Sequence, residues 1–212
     1  MRLLCLLFCL FLPLFGVKKV GTLDVPAATL LGIDVSHHQA RIDWKAVVEK
    51  NDLHFAFVKA TEGSDFEDSL FSANWKQLRN LGIRRGAYHY FRAYGCGCEQ
   101  ALHFLKTVKL APGDLAPVLD LETTDGISPE IMLEEARIWL QTVERSLNVR
   151  PILYTNLDFY EKYLVGAFDN HPLWIARYSE TAPALKGGSL WNFWQYSDKG
   201  CMEGISQPVD LN

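Results

Sequence analysis

The chain has 212 residues, 49% of them hydrophobic and 22% charged, with a formal net charge of −4. That balance excludes a disordered chain, and its acidic sign leaves no basic footprint for nucleic acid. The length suits one hydrophobic core and one domain.

The first segment stands apart. Met1-Arg2 precedes an apolar run from Leu3 to Val17, which is followed by Lys18-Lys19. A run of fifteen apolar residues is short for a membrane span and fits the core of a signal peptide. Lysines on its far side also fit a retained membrane anchor. The reading is therefore a signal peptide or anchor over 1–17, a linker over 18–29 and a catalytic domain over 30–212. Either way the domain is exported, to the cell exterior or the periplasm. Cys5 and Cys9 fall in the leader, which leaves Cys96, Cys98 and Cys201. In an oxidising compartment one of the first two could pair with Cys201; the alternative is three unpaired thiols.

From residue 30 onward strand-like and helix-like segments alternate. "LLGIDVS" (30–36), "HFAFVKA" (54–60), "GAYHYF" (86–91), "APVLDLE" (116–122) and "RPILYTN" (150–156) read as strands. Helical patterns follow them over 43–50, 69–82, 98–108, 128–147 and 158–164. The fourth helix has the fullest end signals: Ser128 as N-cap, Pro129 in the first turn, acids early and Arg145 late. The rhythm then changes. "PLWIARY" (172–178), "LWNFWQYS" (190–197) and "PVDLN" (208–212) read as strands whose connections are too short for regular helices. Five β/α units plus three bare strands predict an α/β, TIM-like barrel of eight mostly parallel strands. An open doubly wound sheet is the alternative, but the chain has neither a G-x-G-x-x-G nor a Walker loop.

Acids interrupt three of these strands. Asp34 lies between Ile33 and Val35, Asp120 between Leu119 and Leu121, and Asp210 between Val209 and Leu211. Successive strand residues face opposite ways, so the aliphatics face the helices and the acids the barrel interior. Glu122 shares the face of Asp120. The first and last strands become neighbours when a barrel closes, so Asp34 and Asp210 should meet, with Asp120 and Glu122 on the opposite wall. Barrel enzymes keep their chemistry at this rim. Solvated loop acids or helix caps are the plainer explanation for any one of them. Four carboxylates could also hold a divalent metal, but no His stands beside them at ligand spacing; His37 and His38 read as structural or rim residues.

Aromatic residues share that rim. Tyr88, Tyr90, Tyr154 and Trp174 are candidates to stack on sugar rings, and Gln195 in "WQYS" is a candidate for sugar hydroxyls. Lys59 and Glu62, at the end of the second strand, either form a rim ion pair or contact the same ligand.

"GIDVSHHQ…IDW", "FVKATEG", "GAYHYF", "PVLDLE", "ILYTN", "LWIARY", "WQYS" and "VDLN", in that order, resemble the lysozymes of glycoside hydrolase family 25. The resemblance runs from about Gly32 to Asn212. It implies a barrel of five β/α units plus three strands. It also implies N-acetylmuramidase activity on peptidoglycan, without a cofactor or metal. Carried over residue by residue, the Glu of the D-x-E pair is Glu122, the general acid, and its Asp is Asp120; the first- and last-strand acids are Asp34 and Asp210. Cys96-Gly97-Cys98 after the third strand departs from the pattern, and no cell-wall-binding repeat is read within these 212 residues. The expected partners are peptidoglycan glycan strands, met by a monomer. A non-catalytic peptidoglycan-binding module, a chitinase-like hydrolase and a metal-dependent phosphoesterase are the competing functions. A D-x-E pair acting on an N-acetylated sugar is compatible with attack by a carboxylate, by water or by the substrate's own acetamido group.

Overall fold

A computed structural model describes residues 30–212. The expected leader and linker, with Cys5 and Cys9, lie outside the described residues. The chain opens with β1 (Gly32–Val35), all four residues buried, and α1 (Trp44–Asn51). Asp43 caps α1 by accepting the Ala46 N–H at 3.1 Å. β2 (Phe55–Glu62) continues into a two-residue hairpin partner, β3 (Phe66–Glu67), before α2 (Phe71–Asn80). β4 (Arg84–Tyr90) leads to α3 (Gly97–Thr107), and β5 (Val118–Asp120) to α4 (Pro129–Leu147). In α4 the buried residues Met132, Ala136, Trp139, Leu140 and Val143 recur at helical spacing, and Ser128 accepts the Ile131 N–H as the sequence signals predict. β6 (Ile152–Asn156) is followed by the short α5 (Leu157–Phe159) and one wide turn over Tyr160–Leu164. β7 (Leu173–Ala176), β8 (Phe193–Gln195), β9 (Ser197–Gly200) and β10 (Val209–Leu211) complete the chain without a regular α-helix between them.

The sheet order is β8-β7-β6-β5-β4-β2-β1-β10-β9. From β1 through β8 every pairing on this path is parallel, as βα alternation requires, whereas β10 runs antiparallel to β1. The two strands that end the path, β8 and β9, are separated in the chain by Tyr196 alone, and the Tyr196 N–H donates to the Leu211 carbonyl at 2.9 Å. The sheet therefore curls nearly into a barrel. All eight expected strands are present, but the sheet has ten, which corrects the count. β3 has two residues and β9 reads Ser-Asp-Lys-Gly, so neither carries the alternating apolar pattern by which a strand is recognised.

Two apolar clusters sit on the two faces. Between sheet and helices lie Ile33, Val35, Leu119, Leu121 and Val209 with Trp44, Phe104 and Trp139. Inside the barrel lie Phe55, Phe57, Val118, Ile152, Tyr154, Trp174 and Ala176. The Phe57 and Trp174 rings stack at 4.5 Å between centroids and form the floor on which the acids stand. Gly32 and Gly86 make this floor possible, because a Cβ at either position would run into the ring of Phe55 or Phe57 respectively. Among the described residues Cys96, Cys98 and Cys201 are exposed and unpaired with one another.

Candidate active site

The aliphatic–acid alternation works as expected. Ile33/Val35, Leu119/Leu121 and Val209 pack outward under the helices, and the acids between them turn inward. Strand register sets the rest. Asp34 pairs with Asp210 across β1 and β10. Asp120 aligns with Tyr90 on β4 and with Tyr154 on β6, Tyr154 with Trp174 on β7, and Ala176 with Gln195 on β8. A cavity of about 260 Å³ opens there, lined by the four acids and by Lys59, Tyr88, Tyr90, Tyr154, Trp174 and Gln195. Ser36, His38 and Tyr178 line it too. Sequence reasoning missed Ser36 and Tyr178, and read His38 as a structural or rim residue; "VSHH" and "ARYS" place Ser36 one, Tyr178 two and His38 three residues past the ends of β1 and β7, which was the available signal.

Glu62 does not line the cavity. Its carboxylate takes the Lys59 ammonium at 2.6 Å and the Arg92 guanidinium at 2.5 and 2.9 Å. Both cations lie over the Tyr90 ring, 5.0 and 4.8 Å from its centroid. Burial alone would raise the Glu62 pKa, but these two cations hold it below the usual carboxylate range. Lys59 is therefore the cavity's cation, but one already neutralised from behind.

Four carboxyls facing one compensated ammonium cannot all ionise cheaply. Asp120 is 7% exposed, and its Oδ1 has no hydrogen-bond partner. Burial, then the charge on Glu122, pushes its pKa well above the normal carboxylate range. Glu122, half-buried two residues further up, is raised by burial and by Asp34, with Lys59 opposing. Asp34 is also raised by burial, against hydrogen bonds from Asn212, Gln195 and Asp210. Asp210 is pushed up to about 8, by burial first and then by the charge and hydrogen bond of Asp34. The same negative field, added to burial, raises the Tyr88 phenol well above its ordinary value and moves Tyr90 to about 12. This hollow retains protons at neutral pH and attracts positive charge. Among the described residues no three His, Cys, Asp or Glu side chains are grouped so as to hold a metal ion.

Comparison with known proteins places the chain in a family. The family model "Glycosyl hydrolases family 25" matches residues 33–205. The chain belongs to glycosyl hydrolase family 25. As a member it is a glycoside hydrolase of the lysozyme, or muramidase, class. It is 41% identical over 209 residues to the protein YegX of Escherichia coli K12, covering 95% of this chain and 76% of that one. It is 32% identical to Lysozyme M1 of Streptomyces globisporus, covering 92% of this chain and 70% of the relative. The structure of a family 25 glycosyl hydrolase from Bacillus anthracis superposes with a TM-score of 0.80 at 34% identity, covering 86% and 87% of the two chains. The fold of this family 25 chain is thus the near-closed barrel of its relatives, with four acids converging at its mouth.

Proposed function

We propose that this family 25 hydrolase cleaves the β-1,4 bond between N-acetylmuramic acid and N-acetylglucosamine in peptidoglycan, with Glu122 as the general acid. The observation that supports this most directly is the convergence of Asp34, Asp120, Glu122 and Asp210 on one sugar-sized cavity walled by tyrosines. Glycoside cleavage needs a proton on the leaving oxygen and stabilisation of an oxocarbenium-like centre. Glu122 is the outermost carboxyl of the D-x-E pair, half-buried, and its raised pKa keeps a proton available. Asp120, deeper and with an unpaired oxygen, is kept protonated by burial and by the charge on Glu122, and the two titrate as a coupled pair. Asp34 supplies negative charge to the developing cationic centre. Tyr88, Tyr90, Tyr154 and Trp174 shape the sugar-binding walls, with Lys59 and Gln195 offering donors. Glu62 acts one step back, by holding Lys59.

Peptidoglycan glycan strands are the substrate in this reading, met after export. The test is digestion of purified peptidoglycan, borohydride reduction of the new ends and identification of the reduced sugar. Reduced N-acetylmuramic acid is expected. Reduced N-acetylglucosamine would mean cleavage at the other bond, and no new ends would favour a module that only binds. Activity should also persist after exhaustive EDTA treatment, whereas loss restored by Mg²⁺ or Mn²⁺ would favour a metal-dependent site.

A further inference from the structure

Asp34 and Asp210 are register partners on β1 and β10, so a proton shared by the pair could sit on either, and the side chains around the two differ. Asp34 Oδ2 accepts two amide N–H groups, from Gln195 Nε2 at 2.8 Å and from Asn212 Nδ2 at 2.9 Å. An amide can be turned either way unless its other end is fixed. For Asn212 the other end is fixed: its Oδ1 accepts from Trp174 Nε1 at 2.7 Å. An indole nitrogen can only donate, so Asn212 must turn its oxygen to Trp174 and its NH₂ to Asp34. Reciprocal backbone bonds at 2.9 Å, Gly32 N–H to Asn212 O and Asn212 N–H to Gly32 O, hold Asn212 beside β1. Gln195 is oriented in the same sense, because its Oε1 accepts from the Tyr154 and Tyr178 hydroxyls at 3.0 and 3.2 Å. Two directed chains thus end on the same oxygen, and an oxygen that accepts two N–H bonds is a poor place for a proton. Asp210 receives no such donors among the described residues.

We propose that Asn212, oriented by Trp174, is the positioning residue that makes Asp34 the ionised member of the Asp34–Asp210 pair and leaves the shared proton on Asp210. The inference deepens the hydrolase reading and rests on it for its purpose: a fixed negative charge at Asp34 faces the cationic centre formed during cleavage. The other groups of the cluster feel the charge of Asp34: Asp120 and Glu122 from β5 and its end, and the phenols of Tyr88, Tyr154 and Tyr178; Lys59 from β2 acts on Asp120 and Glu122, and Asp198 on Asp210. None of them donates to Asp34, so they set how many protons the cluster holds while the amides set where one of them sits.

The test is carbon-13 NMR of the side-chain carboxyls in aspartate-labelled protein, titrated from about pH 4 to about pH 9. Wild type is to be compared with Asn212→Ala and Trp174→Phe. In wild type Asp34 should ionise first and Asp210 should keep its proton up to about pH 8. In Asn212→Ala the Asp34 midpoint should rise by about one unit, and in Trp174→Phe by a smaller amount in the same direction. The acidic limb of the peptidoglycan-lysis profile should move up with it. Ionisation of Asp210 before Asp34 in wild type would overturn the proposal. So would unmoved carboxyl titrations in Trp174→Phe, which keeps a ring at that position and serves if Asn212→Ala does not fold. The titrations need no substrate, so they are decided separately from the hydrolase reading: a protein that titrates as stated yet cleaves no glycan would sink that reading and leave the positioning role intact.

Discussion

Asp210 illustrates what the site demands of the fold. Its pKa is pushed up to about 8 in the folded chain, against an ordinary value of 3.8. Between those values the unfolded chain binds fewer protons than the folded one, so Asp210 makes the protein less stable as pH rises through that window. Asparagine has the same shape, no charge and an N–H that can donate to Asp34. Asp210→Asn should therefore gain stability over wild type at pH 7, on the order of 1 kcal/mol after discounting for partial exposure, or about 2–4 °C in Tm. The gain should shrink toward pH 4, and thermal melts at several pH values check it. An unchanged difference across that range would contradict the assigned pKa. At this scale much of the site was legible in the sequence. Asp34, Asp120 and Asp210 each interrupt an aliphatic alternation, which fixes the face of each. Asn212 was not legible as more than part of a motif, because its role depends on Trp174, 38 positions away. The position of Glu62 was open for a similar reason: Arg92 comes from beyond β4, and no spacing within "KATEG" announces it.

The strands carry the acids, and their placement depends on the barrel floor. β2 and β4 approach closely because Gly86 leaves space for the Phe57 ring. Gly86→Ala should overpack the interior and cost about 1–3 kcal/mol. Phe57→Leu alone should also destabilise, since Phe57 stacks on Trp174. The double variant should lose less than the sum of the two, because the smaller side chain relieves the overlap. Denaturant melts of the four proteins measure this coupling, and simple additivity would show that the ring and the glycine do not share the same space. The helices were readable because their apolar positions recur at helical spacing between clear end signals, as in α4 from Ser128 to Asn148. β3 and β9 were unreadable because they are held by pairing with neighbours rather than by a pattern of their own. The antiparallel course of β10 was also beyond sequence, since alternation is the same in either direction.

Over the whole molecule, buried ionisable groups make stability depend on pH from both sides. His89 lies between sheet and helices, fully buried, its ring stacked on Trp139 at 5.4 Å and bridged by Thr61 at 2.8 Å and Gln100 at 3.1 Å. Burial lowers its pKa from 6.5 to about 3. In that interval the unfolded chain takes up a proton that the folded chain refuses, so stability is lost as pH falls below about 6.5. The raised carboxyls act oppositely and remove stability as pH rises toward about 8. Between about pH 4 and pH 6.5 the two effects oppose each other, and above about 6.5 only the carboxyls act, so the Tm should fall between pH 6.5 and pH 8.5, by several degrees. A Tm that climbs steadily to pH 8.5 would contradict the picture of protons held in the cavity.

The central claim is that the four acids form one hydrolytic site with Glu122 as its proton donor. The most direct measurement is the rate at which reducing ends appear from purified peptidoglycan, for wild type and for Glu122→Gln. The variant should be slower by on the order of 10²–10⁴-fold while its circular dichroism and Tm stay close to those of wild type. A correctly folded Glu122→Gln that releases ends at a near-normal rate would contradict the account.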